Sequence, residues 1–404
     1  MTRNKLHVGV IFGGRSGEHE ISLLSARSVL AALDPQKYEV TQIGITHEGA
    51  WLVGENILEL LSEGKTAGLT SATLLPNPIY RGLYLIRPGT TVSPGTTVPP
   101  GTTVPPGTTV PPGTTVPPTP AGETLEHLAT FDVVFPVLHG TFGEDGTIQG
   151  LFEMAGVAYV GAGVVGSAVG MEKGLFKDVM RANGVPVVED IVVLRSEIHS
   201  TIEKVIERAE ALAPYPLFTK PANLGSSVGV SKCHNRSDLL EGLMDAARYD
   251  RRVLIERGAE AREIEVSVLG NDAPIASICG EVIPSREFYS YEAKYLDNRS
   301  ELLIPAPIPP ETSDTIRSLA VRAYRAVDCC GMARADFLLD KVSGEVFLNE
   351  INTIPGFTKI SMYPKLWAAS GLPYPALVDR LIELALERKA ERDQTEWRYG
   401  LPRR

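Results

Sequence analysis

Short apolar runs alternate with glycine-rich turns and one helical pattern along the first 50 residues. Residues 6–12 form an apolar run rich in branched side chains, glycines and small polar residues occupy 13–17, and helically spaced apolar positions cover 18–33. Another strand-like run follows at 39–45. This order of strand, turn, helix and strand is that of a βαβ unit, so the pattern predicts a mixed α/β protein.

A pair of strand-like runs at 336–340 and 345–352 carries the most informative polar positions. A three-residue turn between them, with glycine last, favours a hairpin in which Asp336 faces Glu350. Side chains alternate between the faces of a strand, so Asn352 points the same way as Glu350. Two carboxylates and an amide oxygen on one face suit a hard cation such as Mg²⁺. The alternative is the solvated face of an edge hairpin.

Two glycine loops lie beside charged side chains near the ends of predicted strands. Glu18 follows the first loop, and an acidic residue in the first turn of a helix is already explained by the helix dipole. His139 ends the strand-like run 131–138, directly before the loop 140–146. Open α/β sheets hold ligands at this carboxyl edge, although a histidine there also serves purely structural roles.

A glycine–serine loop at 222–230 follows a strand-like run that ends at Lys220. The loop offers small side chains, hydroxyls and backbone N–H groups, which make a usable phosphate cradle without the spacing of a P-loop. Lys173 opens a helix-like segment, and either lysine alone is equally explained as a surface charge. Glu265 interrupts the apolar alternation of strand 263–269, which makes it a candidate site residue.

The segment 284–305 is polar and aromatic and has no helical or strand pattern. A loop of this length inside a compact domain is usually a lid or a binding loop. A disordered linker would rarely contain so many aromatic residues in so short a stretch. The residues that stand out on it are Tyr289, Tyr291, Lys294 and Tyr295.

The segment 88–118 repeats PGTTV five times at a spacing of six residues. It cannot bury enough apolar surface to offset its ordering entropy, so we expect an exposed, largely disordered insert that is dispensable for chemistry. A hexapeptide β-solenoid is the alternative. The proline pairs make stacked ladders unfavourable, because proline cannot donate to them.

Composition and charge narrow the class of protein. The 404 residues are 43% hydrophobic and 22% charged, enough for two or three domains. The net charge of −10 argues against nucleic-acid binding but leaves an anionic ligand open. No stretch of about 18 apolar residues and no signal-peptide pattern occurs, so we expect no membrane association. We expect the four cysteines to be reduced thiols in the core of a cytoplasmic protein. They are Cys233, Cys279, Cys329 and Cys330.

Eight motifs, taken in order, closely resemble those of D-alanine–D-alanine ligases in the ATP-grasp superfamily. They are GGRSGEHEIS, LHGTFGEDGTIQG, GMEKGLFK, FTKPANLGSSVGVSK, IERGAEAREIEVSVLG, FYSYEAKY, GMARADFLLD and FLNEINTIPGFTKISMYPKLW. The resemblance covers almost the whole chain except the repeat and the tail. It implies three domains, with ATP between the two antiparallel sheets of the last two. The implied ranges are an N-terminal Rossmann-like (preATP-grasp) domain at 1–161, a central subdomain at 162–258, a C-terminal subdomain at 259–388 with a lid loop at 284–305, and a tail at 389–404.

The resemblance implies an ATP-dependent carbon–nitrogen ligase that joins two D-alanines for peptidoglycan synthesis. ATP phosphorylates the carboxylate of one D-alanine, because a carboxylate is a poor acyl donor until its oxygen becomes a leaving group. The amine of the second D-alanine then attacks the acyl phosphate. Two Mg²⁺ ions, replaceable by Mn²⁺, a homodimer and a cytoplasmic location are also implied. A D-alanine–D-lactate ligase is the close alternative, and a non-catalytic nucleotide-binding scaffold is the remote one.

By the same resemblance, most of the candidate residues bind the nucleotide and its metal ions. Adenine is received by Glu256 and by the backbone of Arg257 and Ala259, and ribose by Glu265. The metal ligands are Asp336, Glu350 and Asn352. The phosphates are contacted by Lys173, Lys220, Lys294 and the loop residues Ser226 and Ser227.

The resemblance also assigns residues to the two D-alanines and to catalysis. Arg334 would stabilise the oxyanion of the tetrahedral intermediate. Tyr295 favours the dipeptide product, because relatives that make D-alanyl-D-lactate differ in this lid region. Lys359 departs from the pattern, since a small polar residue is expected there. The first substrate is bound by Glu18 and approached by His139, the second is bound by Ser361 and Met362, and a hydrogen-bonded set links Glu18, Ser226 and Tyr295.

Overall fold

A computed structural model describes residues 5–88, 123–283, 301–358 and 360–396. The strands of this part of the chain form three sheets with helices around them, which confirms the mixed α/β class. Each sheet falls within one of the three ranges that the motifs imply; the exact boundaries stay predictions. Several predicted features lie outside the described residues, namely nearly all of the repeat at 88–118, the lid residues Tyr289, Tyr291, Lys294 and Tyr295, and Lys359.

The first sheet is parallel at its centre. Its first strand, Leu6–Gly13, pairs in parallel with Tyr38–Ile45 on one side and with Val133–Val137 on the other. The apolar run is fully buried there, as expected of a parallel strand covered on both faces. The strands are β1 Leu6–Gly13, β2 Tyr38–Ile45, β3 Trp51–Val53, β4 Thr70–Leu74, β5 Leu83–Pro88, β6 Glu123–Ala129, β7 Val133–Val137 and β8 Ala158–Tyr159, and the helices are α1 His19–Ala32, α2 Ile57–Ser62 and α3 Thr147–Ala155.

The same sheet also has an antiparallel half that the sequence pattern did not reveal. The strand order is β6-β5-β4-β3-β2-β1-β7-β8, and pairing is antiparallel from β2 to β6. Strands β3 and β4 are short, and all of β6 except its last residue is exposed, so no periodic apolar pattern marks them. The repeat connects β5 to β6.

Deletion of the repeat is expected to leave catalysis intact. Pro88 is the register partner of Glu123 across the β5–β6 ladder, so the chain leaves and re-enters the sheet at adjacent positions. A two-residue Asn-Gly turn in place of residues 89–122 can therefore close the hairpin. We expect kcat to stay within about twofold of the intact chain, as for a surface change far from the site. A steady-state assay that showed a loss above about tenfold would contradict the claim that the insert is dispensable.

The second sheet is antiparallel, with the order β11-β10-β12-β9. The helix-like segment that Lys173 opens is preceded by a separate helix, because the side chain of Glu172 accepts a hydrogen bond from the Leu175 backbone N–H and starts a new helix at Lys173. The strands are β9 Asp190–Leu194, β10 Leu217–Pro221, β11 Ser231–Cys233 and β12 Arg252–Arg257, and the helices are α4 Val164–Met171, α5 Lys173–Ala182, α6 Arg195–Ser200, α7 Ile202–Leu212 and α8 Arg236–Tyr249.

The third sheet is also antiparallel across its described strands, with the order β15-β14-β13-β16-β17. The residues Gly258 to Glu260 link β12 of the second sheet to β13 of the third. The strands are β13 Ala261–Gly270, β14 Ile275–Ile283, β15 Glu301–Leu303, β16 Gly331–Asp340 and β17 Val346–Asn352, and the helices are α9 Pro310–Ala326, α10 Met362–Ala369 and α11 Tyr374–Arg392.

The β16–β17 hairpin has the predicted pairing but not the predicted loop. Asp336 faces Glu350, as expected, whereas the backbone N–H of Asp340 bonds to the carbonyl of Glu345. The loop between these two residues is therefore one residue longer than the predicted three. A bulge between Asp336 and Phe337 leaves Asn349 without a register partner, and this extra residue restores the pairing of Asp336 with Glu350.

Helix α11 belongs to the C-terminal part of the chain but packs on the first sheet. Leu377 and Leu381 share one buried cluster with Val8 of β1 and Val133 of β7. This helix ends at Arg392, whose guanidinium pairs with Glu153 of α3, so it extends into the range 389–404 implied to be a tail. The first and third units therefore share a core. In the part of the chain that the structure describes, no helix is both long and apolar enough to cross a membrane.

Candidate active site

One face of the third sheet carries most of the polar candidates. Asp336 has Glu265 and Glu350 as its cross-strand partners, and Arg334 pairs with Asn352. Directly paired residues point to the same side of a sheet, so these side chains share one face. The opposite face is mainly apolar, with Ile264, Val266, Ala335 and Phe337 in a buried cluster.

Arg334 is the electrostatic centre of this face. Its Nε lies 2.7 Å from Oδ1 of Asp336 and its Nη2 lies 2.6 Å from Oδ2, a two-pronged contact. The same Nε lies 2.9 Å from Oε2 of Glu265. The Asn352 amide adds a hydrogen bond of 2.9 Å to Asp336. The guanidinium therefore holds two buried or half-buried carboxylates that would otherwise repel each other.

The donor set on this face fits a magnesium site. Asp336, Glu350 and Asn352 supply two carboxylates and an amide on adjacent strands. A carboxylate has about four lone-pair positions, so Asp336 can bond to Arg334 and Asn352 and still offer oxygen to a cation. Hard cations such as Mg²⁺ favour this all-oxygen set over nitrogen or sulfur ligands.

A buried ion cluster lies on the second sheet, opposite the carboxylate face. Glu256 on β12 is 3% exposed and forms ion pairs with both Lys177 and Lys220. Burial alone would raise the pKa of Glu256, but the charges of Lys220 and Lys177 outweigh it and lower the pKa to about 2. Glu256 is therefore ionised throughout the physiological range and available as an acceptor.

Lys220 links this cluster to the carboxylate face. Burial lowers the pKa of Lys220, yet the pKa is raised overall because the charge of Glu256 outweighs burial. Glu350 and Glu263 add to the effect, so both lie within electrostatic reach of the lysine. The second and third sheets therefore face each other across one cleft, with a cation on one side and oxygen ligands on the other.

The glycine–serine loop reaches from the second sheet to the carboxylate of Glu18. A Cβ atom on Gly225 would lie 2.8 Å from Oε1 of Glu18, and one on Gly140 would lie 3.1 Å from the same oxygen. Only glycine allows this close approach from both sides. Ser226 has a φ of 52°, a left-handed conformation that costs energy outside glycine and is common in ligand-binding loops. Lys173 supports the loop, since its Nζ donates a 2.6 Å hydrogen bond to the carbonyl of Leu224.

The structure gathers most of the predicted site residues around one cavity of about 530 Å³. Glu18 stands at the N-cap of α1 but makes no side-chain capping hydrogen bond, and its carboxylate lines the cavity. Among the predicted residues that the structure describes, those that do not line the cavity are Lys220, Ser227, Glu256, Arg257, Ala259 and Asp336. The predicted residues in its wall are Glu18, His139, Lys173, Ser226, Glu265, Arg334, Glu350, Asn352, Ser361 and Met362.

His139 is part of the cavity wall, and both of its ring nitrogens have partners. Nδ1 lies 3.0 Å from the carbonyl oxygen of Ile354, so it carries the hydrogen, and Nε2 lies 2.9 Å from the hydroxyl of Ser25. That hydroxyl also accepts a hydrogen bond from the Phe357 backbone N–H. Burial lowers the pKa of His139 more than the charge of Glu18 raises it. A neutral His139 thus ties α1 to the segment that leads to Ser361.

Glu144 is a cavity residue that the sequence did not single out. Its Oε2 accepts a 2.9 Å hydrogen bond from the Gly140 N–H, and its Oε1 accepts one of 3.1 Å from the Ile354 N–H. Burial and the neighbouring charge of Glu18 raise the pKa of Glu144 to about 8. Glu144 is therefore mainly protonated at neutral pH.

The start of α10 forms the far end of the cavity. Ser361 precedes the helix, and the backbone N–H of Met362 is the first of the helical N–H groups without an intrahelical acceptor. The Ser361 hydroxyl lies 2.8 Å from that of Thr358. Lys365 also lines the cavity, four residues after Ser361 and on the same side of the helix. A helix N-terminus with a hydroxyl and an ammonium suits a carboxylate.

The spacing of residues in the sequence could have identified two other residues of the site, Lys365 and Glu263. Lys365 follows Ser361 at the i, i+4 spacing of one helix face, and Glu263 precedes Glu265 by two residues on the same face of β13. Glu265 contacts Arg334, whereas the charge of Glu263 acts on Lys220 of the second sheet. No local pattern distinguishes the buried Lys177 from other charges on α5.

Two antiparallel sheets that hold cationic and oxygen-rich groups across one cleft define an ATP-grasp fold. The family model of the D-ala D-ala ligase N-terminus matches residues 7–162, and that of the D-ala D-ala ligase C-terminus matches residues 179–383. The chain therefore belongs to the D-alanine–D-alanine ligase family.

Individual relatives agree with this assignment along nearly the whole chain. A D-alanine–D-alanine ligase of Heliobacterium modesticaldum is 47% identical over 96% of this chain and 97% of its own length. The solved structure of the D-alanine-D-alanine ligase from Coxiella burnetii has a TM-score of 0.73 at 34% identity and covers 97% of both chains. The VanG D-Ala:D-Ser ligase from Enterococcus faecalis has a TM-score of 0.77 at 31% identity, covering 95% of this chain and all of that one.

Proposed function

We propose that this chain joins two D-alanines to D-alanyl-D-alanine for peptidoglycan synthesis and consumes one ATP in each cycle. The observation that carries the proposal is one cavity with an anionic end at Glu18 and a carboxylate-binding end at Ser361. Arg334, Glu350 and Asn352 also lie in the wall of this cavity. A zwitterionic amino acid at each end brings a carboxylate and an amine towards Arg334.

The nucleotide is proposed to lie between the second and third sheets. Ionised Glu256 accepts from the exocyclic amine of adenine, while the backbone around Arg257 and Ala259 supplies the other edge. Lys173 and Lys220 neutralise the phosphates, and the loop at Ser226 and Ser227 covers them. Glu263 is better placed for the ribose hydroxyls than Glu265, because Glu265 is held by Arg334. Lys294 and Tyr295 keep their proposed lid roles.

Asp336, Glu350 and Asn352 are proposed to hold the metal ions. Bound Mg²⁺ supplies charge neutralisation on the phosphates, which phosphoryl transfer needs more than covalent help. Arg334 keeps Asp336 in place and also lines the cavity. The two-ion stoichiometry and the replacement of Mg²⁺ by Mn²⁺ are supported by the family resemblance.

The first D-alanine is proposed to bind with its ammonium at Glu18 and its carboxylate towards Arg334. Transfer of the γ-phosphoryl group to that carboxylate gives an acyl phosphate and ADP. The second D-alanine binds with its carboxylate at Ser361 and the Met362 N–H, where Lys365 adds a positive charge. Its neutral amine attacks the acyl carbon, Arg334 stabilises the oxyanion, and phosphate leaves. Neutral His139 holds the two ends of this cavity together.

Competition between second substrates tests the proposed product. We expect an equimolar mixture of D-alanine, D-serine and D-lactate with ATP and Mg²⁺ to give mainly D-alanyl-D-alanine, measured by mass spectrometry. If D-alanyl-D-serine were the main product, the activity named for the VanG relative would be favoured. If D-alanyl-D-lactate were the main product, a depsipeptide ligase would be favoured. Only a neutral amine attacks, so the dipeptide share should rise with pH. Absence of every ligated product would favour the non-catalytic scaffold.

Three further properties are proposed from the family resemblance alone. The chain acts as a homodimer, it works in the cytoplasm, and its partners are small molecules rather than nucleic acids. The acidic net charge of −10 supports the last of these. Sedimentation of the purified protein measures its oligomeric state directly.

A further inference from the structure

Three metal-ligating side chains meet at the start of α1, outside the reaction cavity. They are His19 and Glu20 of the first helical turn and His47 of the turn that follows β2. One ligand atom from each lies within 4.8 Å of the others. None of the three lines the cavity that holds Glu18 and Arg334. The proposed ligase function assigns no role to this cluster.

The ring of His19 is fixed in the orientation that metal-binding histidines adopt. Its Nδ1 lies 2.8 Å from the carbonyl oxygen of Gly14, and the ring is only 3% exposed. A carbonyl oxygen can only accept, so Nδ1 carries the hydrogen and the lone pair remains on Nε2. Histidines that bind metals usually donate their other ring N–H to a backbone carbonyl or carboxylate in this way.

His47 and Glu20 complete a half-exposed set around that ring. The rings of His19 and His47 stack with centroids 3.8 Å apart, and Nε2 of His47 lies 3.3 Å from Oε1 of Glu20. Ligands at about 2.0–2.2 Å from one tetrahedral ion lie roughly 3.3–3.6 Å apart, so the set closes once the His47 ring turns out of its stack on His19 and Glu20 moves with it. The side chains of His47 and Glu20 are 59% and 64% exposed and can make that movement.

The ligand types point to a transition metal rather than to magnesium. Two imidazoles and one carboxylate suit Zn²⁺ and its neighbours in the first transition row, whereas Mg²⁺ favours oxygen ligands alone. The nearby cation Arg15 is directed elsewhere, with its guanidinium over the ring of Phe142 at 5.3 Å. Glu48, in the same turn as His47, adds negative charge beside the cluster.

We propose that His19, Glu20 and His47 form a binding site for a late first-row divalent metal ion, with Zn²⁺ as the best fit. The three side chains leave room for water as a further ligand. A bound ion would fasten the turn after β2 to the first turn of α1, directly next to Glu18. Binding to the folded chain alone also raises its melting temperature by mass action.

Calorimetric titration of the full chain with Zn²⁺, in excess Mg²⁺ and after removal of adventitious metal by a chelator, tests the site. We expect one ion per chain, and we expect His47→Ala and Glu20→Gln each to weaken binding by at least about tenfold, since even indirect partners of a metal ligand are worth about 10–100-fold. His127→Ala is the control, because this exposed histidine of β6 lies near Thr130 and outside the cluster. This control should bind Zn²⁺ like the unmodified chain.

Thermal denaturation provides a second readout in the same variants. Zn²⁺ should raise the melting temperature of the unmodified chain and of His127→Ala, and should raise it less in His47→Ala. Either of two results would overturn the proposal. One is no detectable binding up to about 100 µM Zn²⁺. The other is equal affinity in the unmodified chain, His47→Ala and Glu20→Gln.

Discussion

Replacing Arg334 by methionine is expected to lower kcat by about 10²–10³-fold, the usual effect of losing one donor to a developing oxyanion. The structural reason is that Arg334 both faces the cavity and holds Asp336 and Glu265 in place. The KM for ATP should change little, because Asp336 keeps its contact with Asn352 and the lysines of the second sheet are untouched. Initial rates at saturating D-alanine measure the effect.

Arg262→Met is the matched control for this experiment. Arg262 grips Glu281 on the same sheet with the same two-pronged geometry, at 2.7 Å for both contacts. It lies on β13 but points to the opposite face from Glu265. A similar loss of kcat in both variants would mean that sheet stability, not the oxyanion, explains the Arg334 result. Full activity of Arg334→Met would exclude its catalytic role.

Replacing Glu256 by glutamine is expected to lower the free energy of unfolding by about 3–5 kcal/mol, because it removes the nearer charged partner of the buried Lys177 and leaves only Asp190, at 3.9 Å. Lys177 is 1% exposed and pairs with Glu256, and burial lowers its pKa to about 8 despite that partner. The variant should also bind ATP more weakly, since the proposed adenine acceptor loses its charge. Chemical denaturation and the KM for ATP report the two effects separately.

Two controls make the Glu256 result specific. A second substitution, Lys177→Met, should restore part of the lost stability, because an apolar side chain is tolerated where a lone charge is not. Glu203→Gln breaks the exposed pair with Arg236 and should leave the free energy of unfolding nearly unchanged, because exposed pairs contribute little. If Glu256→Gln cost no more than Glu203→Gln, the buried cluster would not stabilise the fold as described.

The pH dependence of stability provides a further test of the role of Glu256. The pKa of Glu256 falls from 4.5 to about 2 on folding, so its ionised form favours the folded state. That contribution is complete above pH 4.5 and is lost as the pH falls from 4.5 towards 2. Glu256→Gln should therefore lose less stability than the unmodified chain over this acid range.

The β16–β17 hairpin, which carries the proposed metal ligands, shows what a sequence pattern can and cannot predict. The pairing of Asp336 with Glu350 followed from strand alternation and a short glycine turn, and the structure confirms it. The predicted loop length was wrong, and a bulge at Asn349 compensates for the difference. A bulge adds one residue without any marker in the local pattern, so the correct pairing depended on two features that cancel.

Long-range burial accounts for the features that the sequence did not reveal. In the sequence, Glu144 is indistinguishable from the other polar residues of its glycine loop. It becomes buried where Ile354, far along the chain, packs against it, and burial raises its pKa. Lys177 likewise becomes a buried partner of Glu256 through the packing of α5 on the second sheet. The placement of α11 on the first sheet has the same origin, because an amphipathic pattern does not state which surface covers it.

Transfer of oxygen from D-alanine to phosphate tests the central claim most directly. D-alanine with ¹⁸O in both carboxylate oxygens is incubated with ATP and Mg²⁺, and the products are analysed by mass spectrometry. The proposed acyl phosphate predicts D-alanyl-D-alanine together with one ¹⁸O in each phosphate released, because the carboxylate oxygen leaves with the phosphoryl group. Formation of no dipeptide, or of dipeptide with unlabelled phosphate, would contradict the proposed reaction.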